Sequence, residues 1–367
     1  YDRMMSFCSA TTLYASAISS VVMTGVVLIG WNSMSASKLA VAISASMTFS
    51  NLGVMIVQMQ VDLQSRMTSY DRIRFYSSNL PQEVKRSNID PINPPNDWPA
   101  VGRIQFNNVT FRYRSGLPFV LKDVSFDLKG GEKIGVCGRT GAGKSSLLFA
   151  LFRLVELDPK LQPKMIDLAT GFLVENDKTE EPNKGRVLID GIDISKVDLS
   201  RVRRSIAIIP QDPTLFTGTL RYNLDIAGKC GDNEIWKVLS MVEMRDVVAG
   251  LPFGLDTQIA EGGSNFSTGQ RQLICFGRAI LNNCRIVVMD EATASVDVET
   301  DAKIQRTIRE QFVDKTVFVI AHRLNTIMNS DRIMVMSDGK VQEIDTPDKL
   351  LADKNSAFNA LLKSLTN

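Results

Sequence analysis

Gly138-Arg139-Thr140-Gly141-Ala142-Gly143-Lys144-Ser145 is the stretch whose reading decides the fold. It fits G-x-x-x-x-G-K-[ST], lies directly after the apolar run Ile134–Cys137 and directly precedes the helical run Ser146–Leu154. That strand–loop–helix setting is what a phosphate cradle requires. Glycines let successive backbone N–H groups turn inward, and the helix that follows points its positive end at the same anion. On this reading residues Gly138, Arg139, Thr140, Gly141, Ala142, Gly143 and Ser146 wrap the phosphates of a nucleotide. Lys144 reaches the β- and γ-phosphates, and the Ser145 hydroxyl ligates Mg²⁺.

Outward from the loop, Ile286-Val287-Val288-Met289-Asp290-Glu291 places two carboxylates after four apolar residues. It reads as a strand buried on both faces, with the acids at its carboxyl end. In nucleotide hydrolases built on such a loop, the Asp at this place holds Mg²⁺, so Asp290 takes that role and Glu291 is set to polarise an attacking water. The runs Lys133–Cys137, Ser205–Ile209, Arg285–Asp290 and Thr316–Ala321 alternate with helical patterns, which predicts an α/β layer structure of the P-loop NTPase class. Val155 to Lys184 interrupts this order and ends in the polar, mixed-charge Glu175–Lys184, so it reads as a surface insertion. Arg201, Arg203 and Arg204 form a tight basic cluster after Asp198 and read as a solvated face near lipid head groups.

The first 61 residues have another character. Met4 to Ser37 carries no charge and neither does Leu39 to Val61, with Lys38 alone between them. Each run exceeds the roughly 20 residues that cross a bilayer, and their Ser, Thr and Gly suit helices packed against other helices. With Arg3 before the pair and Arg66, Arg72 and Arg74 after it, both ends are expected in the cytoplasm. Pro81, Pro91, Pro94, Pro95 and Pro99 then fall in a polar stretch that reads as a linker.

The whole chain has 367 residues, 44% hydrophobic and 22% charged, with 42 Lys and Arg against 40 Asp and Glu. Such a balance, without a basic block, excludes nucleic-acid binding through a broad cationic surface. Cys8, Cys137, Cys230, Cys275 and Cys284 show no paired spacing and read as reduced thiols. A first residue of Tyr and the lack of a signal-peptide pattern set the expectation of a piece of a longer protein.

Further stretches complete a resemblance. Gln211 in Ile209-Pro210-Gln211-Asp212-Pro213, Phe266-Ser267-Thr268-Gly269-Gln270-Arg271-Gln272, Ser295-Val296-Asp297 and Ala321-His322-Arg323 follow one another in the order of an ABC transporter nucleotide-binding domain. The first resembles the family's Q-loop, the second its L-S-G-G-Q signature, the third its D-loop and the fourth its switch histidine. Tyr113 in Phe111-Arg112-Tyr113 falls where the family stacks an aromatic on adenine. Gly135–Ser146, Ile209–Pro213 and Ile320–Ile327 resemble the second such domain of the C subfamily, the multidrug-resistance-associated type.

The resemblance implies a nucleotide-binding domain with a helical signature subdomain, preceded by an all-α transmembrane hairpin. Its expected parts are the last two transmembrane helices over 1–76, a linker over 77–101, the domain over 102–358 with the insertion at 155–184, and a tail over 359–367. It implies ATP and Mg²⁺ as bound groups. Glu291, His322 and Gln211 are the implied catalytic set, with Ser145, Gln211 and Asp290 on the metal. Ser267, Thr268, Gly269 and Gln270 would cover the nucleotide of a partner domain, with Asp297 beside them. The implied partners are the first nucleotide-binding domain and remaining transmembrane helices of the same full-length chain, a small-molecule substrate and membrane lipid, with no nucleic acid. The expected activity is ATP-driven efflux of amphipathic anions, thiol conjugates or drugs from a plasma or vesicle membrane; a nucleotide-gated channel or regulatory subunit is the alternative.

Overall fold

Residues 2–30, 35–79, 83, 92–114, 116–157, 185–292, 296–321 and 324–366 are described by the computed structural model. They divide into a helical unit and a unit built on sheets. In the helical unit α1 (Asp2–Gly30) packs against α2 (Ala36–Asn79), so the second helix runs three residues past 76. Hydroxyls are satisfied inside the helices: Thr24 donates to the Ser20 carbonyl at 2.7 Å and Thr48 to that of Ser44 at 2.8 Å. Among the described residues no helix is long and apolar enough to cross a membrane. The bilayer-crossing expectation is therefore not carried by these segments alone. Ser, Thr and Gly dilute α1, and the second half of α2 holds Asp62, Arg66, Asp71, Arg72 and Arg74.

The other unit has two main sheets. β1 (Ile104–Phe111), β2 (Leu121–Leu128), β4 (Arg186–Ile189) and β5 (Ile192–Asp193) form an antiparallel sheet in the order β2-β1-β4-β5. β3 (Lys133–Gly138), β6 (Ile206–Ile209), β9 (Ile286–Asp290), β10 (Thr316–Ile320), β11 (Arg332–Ser337) and β12 (Lys340–Asp345) form the larger one. Its order is β12-β11-β3-β10-β9-β6, parallel except for the edge strand β12. The short β7 (Gly218–Thr219) and β8 (Gln258–Ile259) pair separately.

The larger sheet is buried on both faces, which is why its strands read as unbroken apolar runs rather than alternating ones. Ile134, Val136, Ile286, Val288, Phe318 and Ile320 face a core shared with the antiparallel sheet and α3 (Lys144–Leu151). Their neighbours Cys137, Val287, Met289, Val317 and Val319 face a second core under the helices that follow β6. Those are α5 (Leu220–Leu224), α6 (Asp232–Met241), α7 (Arg245–Ala249), α8 (Thr268–Asn282) and α9 (Val298–Gln311). Between β5 and β6 lies α4 (Leu199–Arg204); α10 (Leu324–Ile327), α11 (Pro347–Ala352) and α12 (Ala357–Thr366) complete the chain.

Two expectations change here. Arg201 donates to the Pro95 carbonyl at 2.6 Å, and Arg203 donates to the Phe152 and Arg153 carbonyls at 3.1 and 2.9 Å while pairing with Glu83 at 2.7 Å. These arginines tie the connecting segment to the domain instead of forming a solvated basic face. The insertion also begins later than Val155. Glu156 is 7% exposed, its carboxylate paired with Arg153 at 2.6 Å, and Val155 and Leu157 pack on the core. Residues 158–184 lie outside the described residues.

Candidate nucleotide site

Strand register assembles the site. Ile320 sits opposite both Val136 and Asp290, and Ile209 sits opposite Met289, so β3, β10, β9 and β6 end at one edge of the sheet. The segments leaving these ends carry Gly138–Ser145, Ala321, Asp290–Glu291 and Gln211. In open α/β sheets ligands bind at this carboxyl edge.

Within the loop, Gly138 has φ +151° and a Cβ there would lie 2.3 Å from the Met336 carbonyl oxygen. Gly143, the residue before α3, has φ +95° and abuts Leu121. Both positions therefore disfavour a side chain by conformation, and at Gly138 the backbone contact excludes one as well. Lys144 is buried and donates to the Gly138 and Arg139 carbonyls at 2.9 and 3.2 Å, bending its ammonium back over the loop. Burial pulls its pKa down, while the Glu291 and Asp290 carboxylates close to it pull the other way. The two acids at the carboxyl end of β9 and the loop lysine thus share one site. Glu291 has φ +48°, an uncommon conformation for a residue with a Cβ, and its backbone N–H donates to the Ile320 carbonyl at 2.9 Å.

Tyr113 is 42% exposed and stands edge-on to Phe111 and Phe149, with ring centroids 5.2 and 5.4 Å away. Its hydroxyl lies 3.0 Å from the Ser146 hydroxyl, which anchors the ring to α3 beside the loop. Arg139, Thr140 and Gly141 form the outer rim of the loop, Ala142 is buried, and Ser145 is exposed at the first turn of α3.

The signature stretch is a helix start. Ser267 caps α8, its hydroxyl accepting the Gln270 N–H at 3.2 Å while the Gln270 side chain accepts the Ser267 N–H at 3.0 Å. This reciprocal capping box fixes the turn and leaves Ser267 exposed. Thr268 accepts from Arg271 at 3.1 Å, Gly269 is buried, and Phe266 is buried at 6% exposure, so the unusual residue at that place serves the core. Asp297 caps α9, accepting from the Thr300 N–H at 3.0 Å. Gln211 is exposed; the carbonyl of Pro210 before it accepts from the buried Gln272 at 3.1 Å. His322 lies outside the described residues, as does Ser295; the described neighbour Ala321 donates to the Val136 carbonyl at 3.2 Å.

A family model described as ABC transporter matches residues 121–161 and 177–294. Multidrug resistance protein mrp-7 of Caenorhabditis elegans is 44% identical over 329 residues, 90% of this chain and 20% of that protein. ATP-binding cassette sub-family C member 2 of Rattus norvegicus is 44% identical over 303 residues, 83% of this chain and 18% of that protein. The chain belongs to the ABC transporter family. It is of the multidrug-resistance-associated C subfamily and contains that family's nucleotide-binding domain. Its fold agrees with a solved bacterial Atm1-family ABC exporter with ATP bound, at TM-score 0.75 and 25% identity over 98% of this chain and 59% of that one. The chain spans about a fifth of the length of the curated relatives it matches.

The sequence of this ABC domain gives no role to Gln272 or Thr300 and does not show the contact of Ser146 with Tyr113. Gln272 links the signature helix to the segment carrying Gln211, Ser146 anchors Tyr113 through its hydroxyl, and Thr300 touches both Asp297 and Gly269. Only Gln272 left a signal, a polar residue on the apolar side of a strongly amphipathic helix.

Proposed function

We propose that this chain is the ATP-hydrolysing half of an ABC exporter, coupling nucleotide turnover to efflux of amphipathic anions or thiol conjugates. The observation that carries the reading is the meeting of Lys144, Asp290 and Glu291 at the carboxyl edge of the sheet. The Gly138–Ser146 loop binds the phosphates by its backbone N–H groups, and Lys144, released from the Gly138 and Arg139 carbonyls, neutralises the terminal phosphates. Tyr113 receives the adenine on its exposed ring face. Glu291 accepts the proton of the attacking water, and His322 orients the terminal phosphate. The donors available to a metal are a hydroxyl on Ser145, a carboxylate on Asp290 and an amide oxygen on Gln211, the all-oxygen chemistry that suits Mg²⁺. Mg²⁺ held there offsets the negative charge of the phosphate oxygens.

Head-to-tail closure on the first nucleotide-binding domain of the longer protein would place Ser267–Gln270 and Asp297 over the partner's nucleotide. ATP then favours the closed pair because it touches both domains, and hydrolysis releases them. α1 and α2 join the membrane part as helices packed among others; their internally bonded hydroxyls and outward Val21, Leu28, Ile29 and Val41 support that placement. The test is ATP-dependent uptake of a glutathione conjugate into inside-out vesicles holding the full-length protein. Glu291→Gln should lower turnover about 10²–10⁴-fold and abolish uptake while sparing ATP binding. Near-normal turnover in that variant would remove Glu291 from the role, and ATP-gated current without uptake would point to a channel.

A further inference from the structure

Asp297 and the signature turn begin different helices, yet one side chain touches both. Thr300 donates its backbone N–H to Asp297 Oδ2 at 3.0 Å and its hydroxyl to Asp297 Oδ1 at 2.8 Å. Those two bonds hold the Asp297 carboxyl below the usual carboxylate range, so the carboxylate stays ionised and fixed in direction. The same side chain lies against the signature. A Cβ on Gly269 would come within 2.9 Å of both Thr300 Cγ2 and Oγ1, and within 3.3 Å of Cβ. The bare Gly269 is what allows α9 to approach the first turn of α8 so closely. Thr300 is half-buried in this contact, whereas Asp297 and Ser267 are exposed.

We infer that Thr300 is a positioning residue that joins Asp297 to the Ser267–Gln270 turn, so that both elements engage the partner domain's nucleotide as one block. This rests on the head-to-tail pairing proposed above. The hydroxyl supplies the bond to Asp297, and the β-branch supplies the packing on Gly269. Serine retains only the first and valine only the second. Thr300 bonds to Asp297 and packs on Gly269, both outside the loop 138–146, so the chain's own phosphate cradle should not respond to its replacement.

The test uses the full-length protein and reads its two phosphate loops separately, by labelling with 8-azido-ATP, washing, and cleaving between the halves. Thr300→Val should lower nucleotide retained at the first domain's loop about tenfold, the effect of one lost charge-assisted hydrogen bond. Retention at the loop of this chain should stay within about twofold, and Thr300→Ser, which keeps the bond to Asp297 but not the packing on Gly269, should fall between Thr300→Val and the parent, which a packing defect alone would not allow. Equal loss at both loops, with a lowered unfolding midpoint, would overturn the inference in favour of a merely structural role. Unchanged retention in Thr300→Val would also overturn it. Ser267→Arg separates the two levels of the argument: if it abolishes retention at the first loop while Thr300→Val does not, only the role of Thr300 falls. If Ser267→Arg is itself silent, the head-to-tail reading falls and the role of Thr300 with it.

Discussion

Arg153→Met tests how the root of α3 is held. Arg153 is 5% exposed; it donates to the Ile194 and Val197 carbonyls at 2.7 Å each and to Glu156 at 2.6 Å. Methionine keeps the unbranched stem and makes the same demand on the backbone, where φ is +48°. What it removes is the cation, taking from Glu156 its guanidinium pair and from the Ile194 and Val197 carbonyls one donor each, although Ile194 still accepts from the Val197 N–H at 3.2 Å. Breaking a buried pair from one side costs about 3–5 kcal/mol. Since a domain of this size loses about 2–4 °C per kcal/mol, the unfolding midpoint should drop by about 6–20 °C. Adding Glu156→Leu removes the carboxylate as well, so the double variant should recover about 2 kcal/mol relative to Arg153→Met. Urea and thermal unfolding of the 367-residue chain, followed by circular dichroism, read both numbers. A single variant within about 1 kcal/mol of the parent, or a double variant no better than the single, would refute the claim that this pair is desolvated and mutually dependent.

Other outcomes follow from the site. Lys144→Ala should abolish photolabelling of this domain by an ATP analogue, and full labelling would count against the phosphate assignment. Tyr113→Ala should raise the KM for ATP about tenfold by removing the ring face, while Tyr113→Phe, which loses only the bond to Ser146, should stay within about threefold. Cys137 is buried and its thiol is pushed up to about 12 from an ordinary 9.0, so maleimide should label it in unfolded but not native protein at pH 8. The unfolded thiol loses its proton first, so this group contributes stability below pH 9.0 that is lost as pH rises toward about 12.

Gln272, Ser146 and Thr300 show why part of the site was illegible. Each acts on a group far along the chain: Gln272 on Pro210, Ser146 on Tyr113, Thr300 on Gly269. A polar residue gives no sign in sequence of which distant carbonyl or helix it will meet. The same reason explains the arginines after Asp198, whose charge pattern fits a solvated face and whose partners Glu83, Pro95 and Phe152 appear only in the folded chain. Glu156 reads as the start of a polar insertion because its partner Arg153 closes around it only when Ile194 and Val197 are in place.

What the sequence alone determines is what rests on neighbouring residues. The cradle at 138–145 follows from glycine spacing before a helix. The capping box at Ser267 and Gln270 needs only three residues of separation, and the doubly buried strands follow from unbroken apolar runs. The tertiary structure decides the strand order, β12-β11-β3-β10-β9-β6, in which no parallel neighbours except β9 and β10 are consecutive in number. That order, with β10 between β3 and β9, brings Lys144 near Asp290 and Glu291, because a parallel sheet sends all its carboxyl ends to one edge while its crossovers choose which ends meet.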